Sequence, residues 1–232
     1  MILRPNKADL FVLEEPDYKQ ILDSHYGDFR QQYLSRPTNK TCAFPIWVDF
    51  GAHIGTAASK IAHAGAELIY AFEPEPFNYA ILAKNIQEFA DIIPLNYGVI
   101  GSNLKTKREL FYVNLGVNTG RHTLASSLSE THEVVELDIP LLPFNYILKS
   151  TGAICAKIDI EGAEHTFIYE LLRSQLEFVI MEYHYSDAIK QHFPDAISVE
   201  ELDKRASANG WALLEHSKDE KYQTSVLLLT RI

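Results

Sequence analysis

Short apolar runs alternate with stretches of helical periodicity between residue 46 and about residue 184. The runs IWVDF, LIYAFEP and IIPLNYGVI are separated by TAASKIAHAG and NYAILAKNIQEF. Further on, AICAKIDI at 153–160 and FVIMEYH at 178–184 flank the predicted helix AEHTFIYELLRS. Alternation of this kind predicts βαβ units around a parallel sheet. The predicted fold class is therefore α/β.

The C-terminal pattern differs, because GWALLEHS and TSVLLLTRI are joined by the charged turn KDEKYQ and predict a hairpin. The sheet is then expected to have about seven strands, mostly parallel, with a C-terminal antiparallel hairpin. An inserted segment near 101–150 breaks the rhythm, and RELFYVN and EVVELDIP within it are possible extra strands. Ahead of the sheet, apolar residues at helical spacing predict an amphipathic helix over 17–34.

Length and charge narrow the class of protein. With 232 residues and 47% hydrophobic composition, we expect a single domain over 1–232, with a helical extension over 1–45 and a Rossmann-like core over 46–232. The 21 basic and 31 acidic residues give a net charge of −10, which repels polyanions, so no nucleic-acid partner is expected. Neither a signal peptide nor an apolar run of about 20 residues is recognised. We therefore expect a cytoplasmic protein without a membrane partner, and its oligomeric state stays open.

The stretch WVDFGAHIGT ends a predicted strand with an acid and then turns on glycines. A dinucleotide fingerprint that begins at Gly51 needs glycines at positions 53 and 56, which here are His53 and Thr56. What is present is the pattern DxGxxxG, formed by Asp49, Gly51 and Gly55. A carboxylate suits the sulfonium of S-adenosylmethionine better than a pyrophosphate, and glycines let the backbone approach the methionine part of that molecule.

A second acid supports the same nucleotide. Glu73 ends the next predicted strand, 73 − 51 = 22 residues after Gly51, close to the spacing of about 20 at which an acid accepts hydrogen bonds from ribose hydroxyls. Asn96, Tyr97 and Gly98 follow the third predicted strand, at the edge where the adenine is expected, although Tyr97 also fits an ordinary core position. S-adenosylmethionine is therefore the predicted cofactor.

Five segments in this order, VDFGAHIGT, YAFEPEPFNYAILAKNI, LNYGVIGSN, AKIDIEGAEHTFIYELL and FVIMEYH, resemble the FkbM family of S-adenosylmethionine-dependent methyltransferases. The resemblance covers about residues 46–185, and KIDIEGAE is its most specific piece. It implies a class I methyltransferase sheet and O-methylation of a small molecule or sugar. The family loop usually has asparagine where this chain has His53. The predicted cofactor-binding residues are Asp49, Gly51, His53, Gly55, Glu73, Pro74, Asn96, Tyr97, Gly98 and Asp159.

The segment KIDIEGAEH supplies several charged groups at the end of a predicted strand. In a strand, Lys157, Asp159 and Glu161 alternate with apolar Ile158 and Ile160, so we expect the three charges to share one face. A charged face on a buried strand must be paired or functional. Two interpretations stay open: an ion pair from Lys157 to one of the acids that positions the loop, or carboxylates that face the methyl group and the acceptor, kept ionised by Lys157.

Methyl transfer to a hydroxyl is an in-line displacement that needs alignment and a base. The segment MEYHY brings Glu182 and His184 to the same edge of the predicted sheet. His184 is the first candidate for the base, because imidazole titrates near neutral pH, and Glu161 is nearly as good. The predicted catalytic residues are Asp159, Glu161, His184 and Lys157.

The same region has the composition of a possible magnesium site. Asp159, Glu161, Glu164 and His184 offer ligand atoms, mostly the oxygens that magnesium prefers. No ligand spacing in the sequence compels this interpretation, so no metal site is assigned.

Three functions are compatible with these motifs. The leading one is an S-adenosylmethionine-dependent O-methyltransferase that acts on a small hydroxylated acceptor. The second is a nicotinamide oxidoreductase, which would lack the GxGxxG loop. The third is a methyltransferase-like binding module that holds a nucleotide or a partner without turnover.

Overall fold

The computed structural model describes residues 46–104, 108–114, 134–220 and 223–232. The predicted helix over 17–34 lies outside the described residues. The described strands, in chain order, are β1 (Ile46–Phe50), β2 (Leu68–Phe72), β3 (Ile92–Leu95), β4 (Gly98–Ile100), β5 (Arg108–Asn114), β6 (Val134–Pro143), β7 (Cys155–Ile158), β8 (Phe178–His184), β9 (Trp211–Asp219) and β10 (Thr224–Arg231). The described α-helices are α1 (Thr56–His63), α2 (Pro76–Asn85), α3 (Phe144–Thr151), α4 (Ile168–Leu172), α5 (Asp187–His192) and α6 (Val199–Ala208).

Seven strands form the main sheet, in the order β3-β2-β1-β7-β8-β10-β9. The first five of these are parallel to one another, whereas β10 runs antiparallel to both β8 and β9. This arrangement confirms the predicted α/β sheet of seven strands with a C-terminal antiparallel hairpin. Its parallel strands are joined by crossover connections, as βαβ units require.

A second, three-stranded sheet has the order β4-β6-β5. The segment IIPLNYGVI, predicted as one strand, is therefore divided between two sheets. Between its halves, where the chain leaves the main sheet, the side-chain amide of Asn96 donates to the carbonyl oxygens of Glu73 and Pro74 at 2.8 and 3.1 Å. Gly98 then packs so closely that a Cβ there would lie 2.6 Å from Leu141 Cδ2.

The helices agree with the sequence pattern only in part. α1 and α2 lie where periodicity predicts them. The segment AEHTFIYELLRS forms a 3₁₀ helix (Ala163–Thr166) followed by α4, with a break at Phe167, whose φ is −132°. Sequence periodicity did not predict α3, α5 and α6. Ser186 and Ser198 cap the last two of these with their hydroxyl oxygens, a local signal typical of helix starts.

Apolar layers cover both faces of the main sheet. Side chains alternate along β1, so Val48 and Phe50 enter one layer while Trp47 enters the other. Asp49, on the same face as Trp47, is 0% exposed. A carboxylate in such surroundings needs a partner, because burial removes its hydration. No helix among the described residues is long and apolar enough to cross a membrane.

Candidate active site

Four neighbouring strands end at one edge of the main sheet. β2, β1, β7 and β8 are parallel and adjacent, so their carboxyl ends lie side by side. Asp49 is the penultimate residue of β1, Glu73 follows β2, Asp159 follows β7, and His184 ends β8. We call the place where these four residues lie the carboxyl edge. Open α/β sheets bind their ligands at such an edge.

Lys157 connects the ends of β1 and β7. Its Nζ lies 3.3 Å from Asp49 Oδ1 and 3.4 Å from Asp159 Oδ2, and it donates a hydrogen bond to the carbonyl oxygen of Gly51 at 2.8 Å. These three acceptors match the three donors of an ammonium group. The structure thus contains the ion pair from Lys157 to Asp159 that one interpretation of the sequence required, and adds Asp49 to it.

The Asp49 carboxylate keeps accepting capacity beyond this ion pair. Within the described part of the chain, neither of its oxygens accepts a well-formed hydrogen bond. Burial raises the pKa of Asp49, and the positive charge of Lys157 opposes that rise. A buried carboxylate with unused lone pairs is a suitable neighbour for a cationic ligand.

The glycines of the loop after β1 are required by the protein's own packing. Gly51 has φ +77°, and a Cβ at this position would lie 1.8 Å from the backbone oxygen of Asp159. Gly55 has φ +96°, and its Cβ would lie 2.8 Å from Leu82 Cδ1. The sequence-based reason for these glycines, access of a cofactor to the backbone, is therefore not needed to explain them. Their left-handed backbone and close contacts suffice.

His53 and Glu73 are joined through the backbone of that loop. The backbone N–H of His53 donates to Glu73 Oε2 at 2.8 Å, and the backbone N–H of Glu75 donates to Glu73 Oε1 at 3.0 Å. His53 has φ +50°, a conformation that asparagine and histidine both adopt more readily than most residues. The change from the usual asparagine therefore leaves this hydrogen bond intact. Burial raises the pKa of Glu73 to about 8, although these two hydrogen bonds lower it.

The residues predicted to meet the adenine have different surroundings. Asn96 is held by the carbonyl oxygens that follow β2, and Gly98 starts β4 against the second sheet. Tyr97 is 37% exposed, so it is not the core residue that was its alternative assignment.

The charges of KIDIEGAEH do not lie on one strand face, contrary to the sequence-based expectation. β7 ends at Ile158, and Glu161 lies in a turn with φ +52°. This left-handed turn directs Glu161 to His184, whose Nε2 lies 3.3 Å from Glu161 Oε2, whereas Lys157 pairs with Asp159. The prediction was wrong because the alternation of charged and apolar residues continues in the sequence after Ile158, where the hydrogen bonding of the strand ends.

Glu164 fixes His184 from the opposite side. Its Oε1 accepts from the backbone N–H of His184 at 2.8 Å and lies 2.9 Å from Nδ1 of that ring, and its Oε2 accepts from Gly162 N–H at 2.9 Å. Burial disfavours a charged ring, but the carboxylates of Glu164 and Glu161 outweigh it and hold the pKa of His184 well above its ordinary value. His184 is therefore a cation between two carboxylates at neutral pH.

Glu182 is the site residue that the sequence analysis left without a role. It lies two residues before His184 in β8 and so shares its face of the strand. Burial is the main reason that the pKa of Glu182 rises to about 7, and the charge of Asp159 adds to the rise. The segment MEYHY had already placed Glu182 at this edge, and the alternation along the strand puts it on the same face as His184.

A family profile described as "Methyltransferase FkbM domain" matches residues 49–206, which is more than half of the chain. The chain belongs to the FkbM methyltransferase family. This result confirms the resemblance seen in the sequence, and with the strand order it confirms the class I methyltransferase fold. Among curated proteins, none matches this FkbM chain by sequence.

Several solved structures resemble the FkbM chain. M. jannaschii TYW2 in complex with AdoMet is 17% identical, with a TM-score of 0.44, over 93% of this chain and 81% of the other. Aeropyrum pernix fibrillarin with natively bound S-adenosyl-L-methionine is 12% identical, with a TM-score of 0.43, over 81% and 66%. The human methyltransferase 10 domain containing protein is 10% identical, with a TM-score of 0.45, over 90% and 81%. Similarity at this level does not bear on the acceptor.

S-adenosylmethionine is the cofactor of the FkbM chain, as predicted. The carboxyl edge fits it chemically. Asp49 has unused accepting capacity next to the loop of DxGxxxG. Glu73 receives one backbone N–H on each oxygen, and a carboxylate has about four acceptor positions, so it can also accept from ribose hydroxyls. When bound, the cofactor supplies an electrophilic methyl group on a sulfonium.

Proposed function

We propose that the protein is an S-adenosylmethionine-dependent O-methyltransferase that acts on a hydroxyl group of a small molecule or sugar. The observation that carries the proposal is a partly exposed carboxylate, Glu161, held by a buried histidinium beside the cofactor loop. A nucleophilic hydroxyl needs a nearby acceptor for its proton, and this group is available at the edge where the methyl donor is expected.

The cofactor is assigned to the part of the carboxyl edge formed by β1 and β2. Glu73 accepts from the ribose hydroxyls, and Asp49 lies near the cationic end of the methionine part. His53, Gly51 and Gly55 shape the loop that separates these acids. Pro74, Asn96, Tyr97 and Gly98 lie on the side of β2 and β3 and are assigned to the adenine. Asp159 lies between the cofactor and the acceptor.

The acceptor is assigned to the part of the edge formed by β7 and β8. Glu161 receives the proton of the acceptor hydroxyl, rather than His184, because both ring nitrogens of His184 face carboxylates and the ring already carries its proton. His184 and Glu164 act through Glu161 by orienting it. Lys157 acts in the same indirect way on Asp159.

The charge of the edge supports a small acceptor over a nucleic acid. Two cationic groups, Lys157 and His184, lie there, and each faces two acids: Asp49 and Asp159 face Lys157, and Glu161 and Glu164 face His184. Such a surface repels a phosphate backbone. A binding module without turnover would not need a carboxylate held at the acceptor side, and a nicotinamide enzyme would not be expected in this family.

The test is transfer of a radiolabelled methyl group from S-adenosylmethionine to a panel of sugars and phenols, with amines and RNA as comparison acceptors. We expect labelled methyl ethers only, and we expect Glu161→Gln to lower kcat by about 10²-fold or more with the affinity for S-adenosylhomocysteine unchanged. The matched control is Glu220→Gln, which changes an exposed acid. Label on nitrogen or RNA, or full turnover by Glu161→Gln, would contradict the proposal.

A further inference from the structure

Three side chains at the acceptor side of the carboxyl edge converge on one point. Asp159, Glu161 and His184 each offer one ligand atom, and these atoms all lie within 4.8 Å of one another. Six-coordinate cations with bonds of about 2.1 Å place their ligand atoms about 3.0 to 4.2 Å apart. His184 Nε2 and Glu161 Oε2, 3.3 Å apart, already lie within this range. The largest separation among the three atoms, at most 4.8 Å, exceeds the upper end of the range by about 0.6 Å. The Asp159 and Glu161 side chains are 28% and 24% exposed, so they have room to move.

The histidine of this group is already oriented as a ligand. His184 is more than nine-tenths buried, and its Nδ1 is fixed by Glu164, which is itself completely buried. Nε2 is thereby aimed at Glu161. Histidine ligands of metals usually have their second nitrogen fixed in this way by a carboxylate. The sequence had suggested Glu164 as a fourth ligand, but its oxygens hold Gly162 and His184, so it supports the ligand from behind.

We propose that Asp159, Glu161 and His184 bind a divalent cation that contacts the hydroxyl of the methyl acceptor. The role of the cation in activating the acceptor rests on the proposed O-methyl transfer. Binding of the cation to these three side chains does not. The cation would take the place of the proton between His184 Nε2 and Glu161. One nitrogen and two oxygen ligands suit Mn²⁺ and Zn²⁺, and Mg²⁺ is served by the two oxygens.

The local charge favours such an ion. Asp159 shares Lys157 with Asp49, and Glu161 shares His184 with Glu164, so each cationic side chain faces two acids. A divalent cation between Asp159 and Glu161 compensates this excess of negative charge.

The ion would alter how the acceptor is activated. A hydroxyl bound to a divalent cation loses its proton more easily than a free one. The acceptor oxygen then gives up its proton to solvent, forms the bond to the methyl carbon, and the bond from that carbon to sulfur breaks to leave S-adenosylhomocysteine. Glu161 serves in this case as a ligand, and the acceptor reaches it through the cation.

The experiment is titration of the chelator-treated full chain with MnCl₂, in which electron paramagnetic resonance measures free Mn²⁺. We expect one saturable site and at least about tenfold weaker binding in Asp159→Asn and in Glu161→Gln. Asp187→Asn is the matched control, because it makes the same chemical change at a side chain that is 88% exposed and three residues from His184. Its affinity for Mn²⁺ should equal that of the unmodified chain.

Circular dichroism shows whether each variant is folded, and binding of S-adenosylhomocysteine by the unmodified chain separates the two proposals. A chain that binds S-adenosylhomocysteine but shows no saturable Mn²⁺ binding at millimolar concentration overturns the cation site alone. Equal Mn²⁺ affinity of the unmodified chain, Asp159→Asn and Glu161→Gln overturns it as well. A chain that binds Mn²⁺ with the expected variant pattern but does not bind S-adenosylhomocysteine supports the cation site and contradicts the proposed function.

Discussion

At the scale of single residues, Lys157 is the group on which the carboxyl edge depends most. It contacts two acids and a backbone carbonyl. The carboxylate oxygens of one of those acids, Asp49, accept no well-formed hydrogen bond from the described residues. Loss of one member of a buried ion pair costs more than the pair contributes, because the remaining charge stays buried without compensation.

We therefore expect Lys157→Met to lower the free energy of unfolding by about 3 to 5 kcal/mol, measured by urea denaturation. Methionine keeps much of the length of the side chain, so the loss reports mainly on charge. The matched control is Lys190→Met, which breaks an exposed pair with Asp187 and should cost less than about 1 kcal/mol. Similar losses for the two variants would show that Lys157 does not hold the edge.

Residue types at the edge were predictable from the sequence, but their partners were not. The acids at the ends of β1, β2 and β7 follow from their position after apolar runs. Glu161 pairs with His184 instead of Lys157 because Glu161 has a left-handed backbone conformation. A sequence predicts that conformation only where glycine or asparagine is present. The sequence favoured His184 as the base because the two carboxylates that contact its ring were not predictable. These carboxylates hold the pKa of His184 well above its ordinary value.

At the scale of elements, hydrophobic periodicity predicted the main sheet and failed where tertiary contacts decide. Parallel buried strands such as β1, β7 and β8 are mainly apolar runs and are easily recognised. At the split between β3 and β4, Asn96 donates hydrogen bonds to carbonyl groups more than 20 residues away along the chain, and local periodicity carries no trace of such contacts. The short helix α5, of six residues, has too few turns to show a period.

The close approach of the residues that follow β1 and β7 makes a prediction about Gly51. Gly51→Ala would place a methyl group 1.8 Å from the backbone oxygen of Asp159, so one of the strand ends must move. We expect a loss of at least about 3 kcal/mol in the free energy of unfolding. Gly152→Ala is the matched control, because Gly152 has a similar φ of +67° and no atom within 4 Å of an added Cβ. Gly152→Ala should lower the free energy of unfolding by about 1 to 2 kcal/mol. An equally small loss for Gly51→Ala would show that the ends of β1 and β7 can separate without cost.

At the scale of the whole molecule, charge and topology favour the same use of the sheet. A net charge of −10 and the acids of the carboxyl edge repel polyanions and attract cationic ligands. The parallel strands collect these acids at one edge, since every crossover connection returns the chain in the same direction. The methyl donor carries a sulfonium, so its charge is complementary to this surface.

The most direct test of the account is calorimetric titration of the full chain with S-adenosylhomocysteine, with NAD as the control ligand and Glu73→Gln as the variant. We expect saturable binding of S-adenosylhomocysteine, none of NAD, and at least about tenfold weaker binding in the variant, because glutamine accepts fewer hydrogen bonds from a ribose. Failure to bind S-adenosylhomocysteine, or equal affinity in Glu73→Gln, would contradict the claim that the carboxyl edge of β1 and β2 holds the methyl donor.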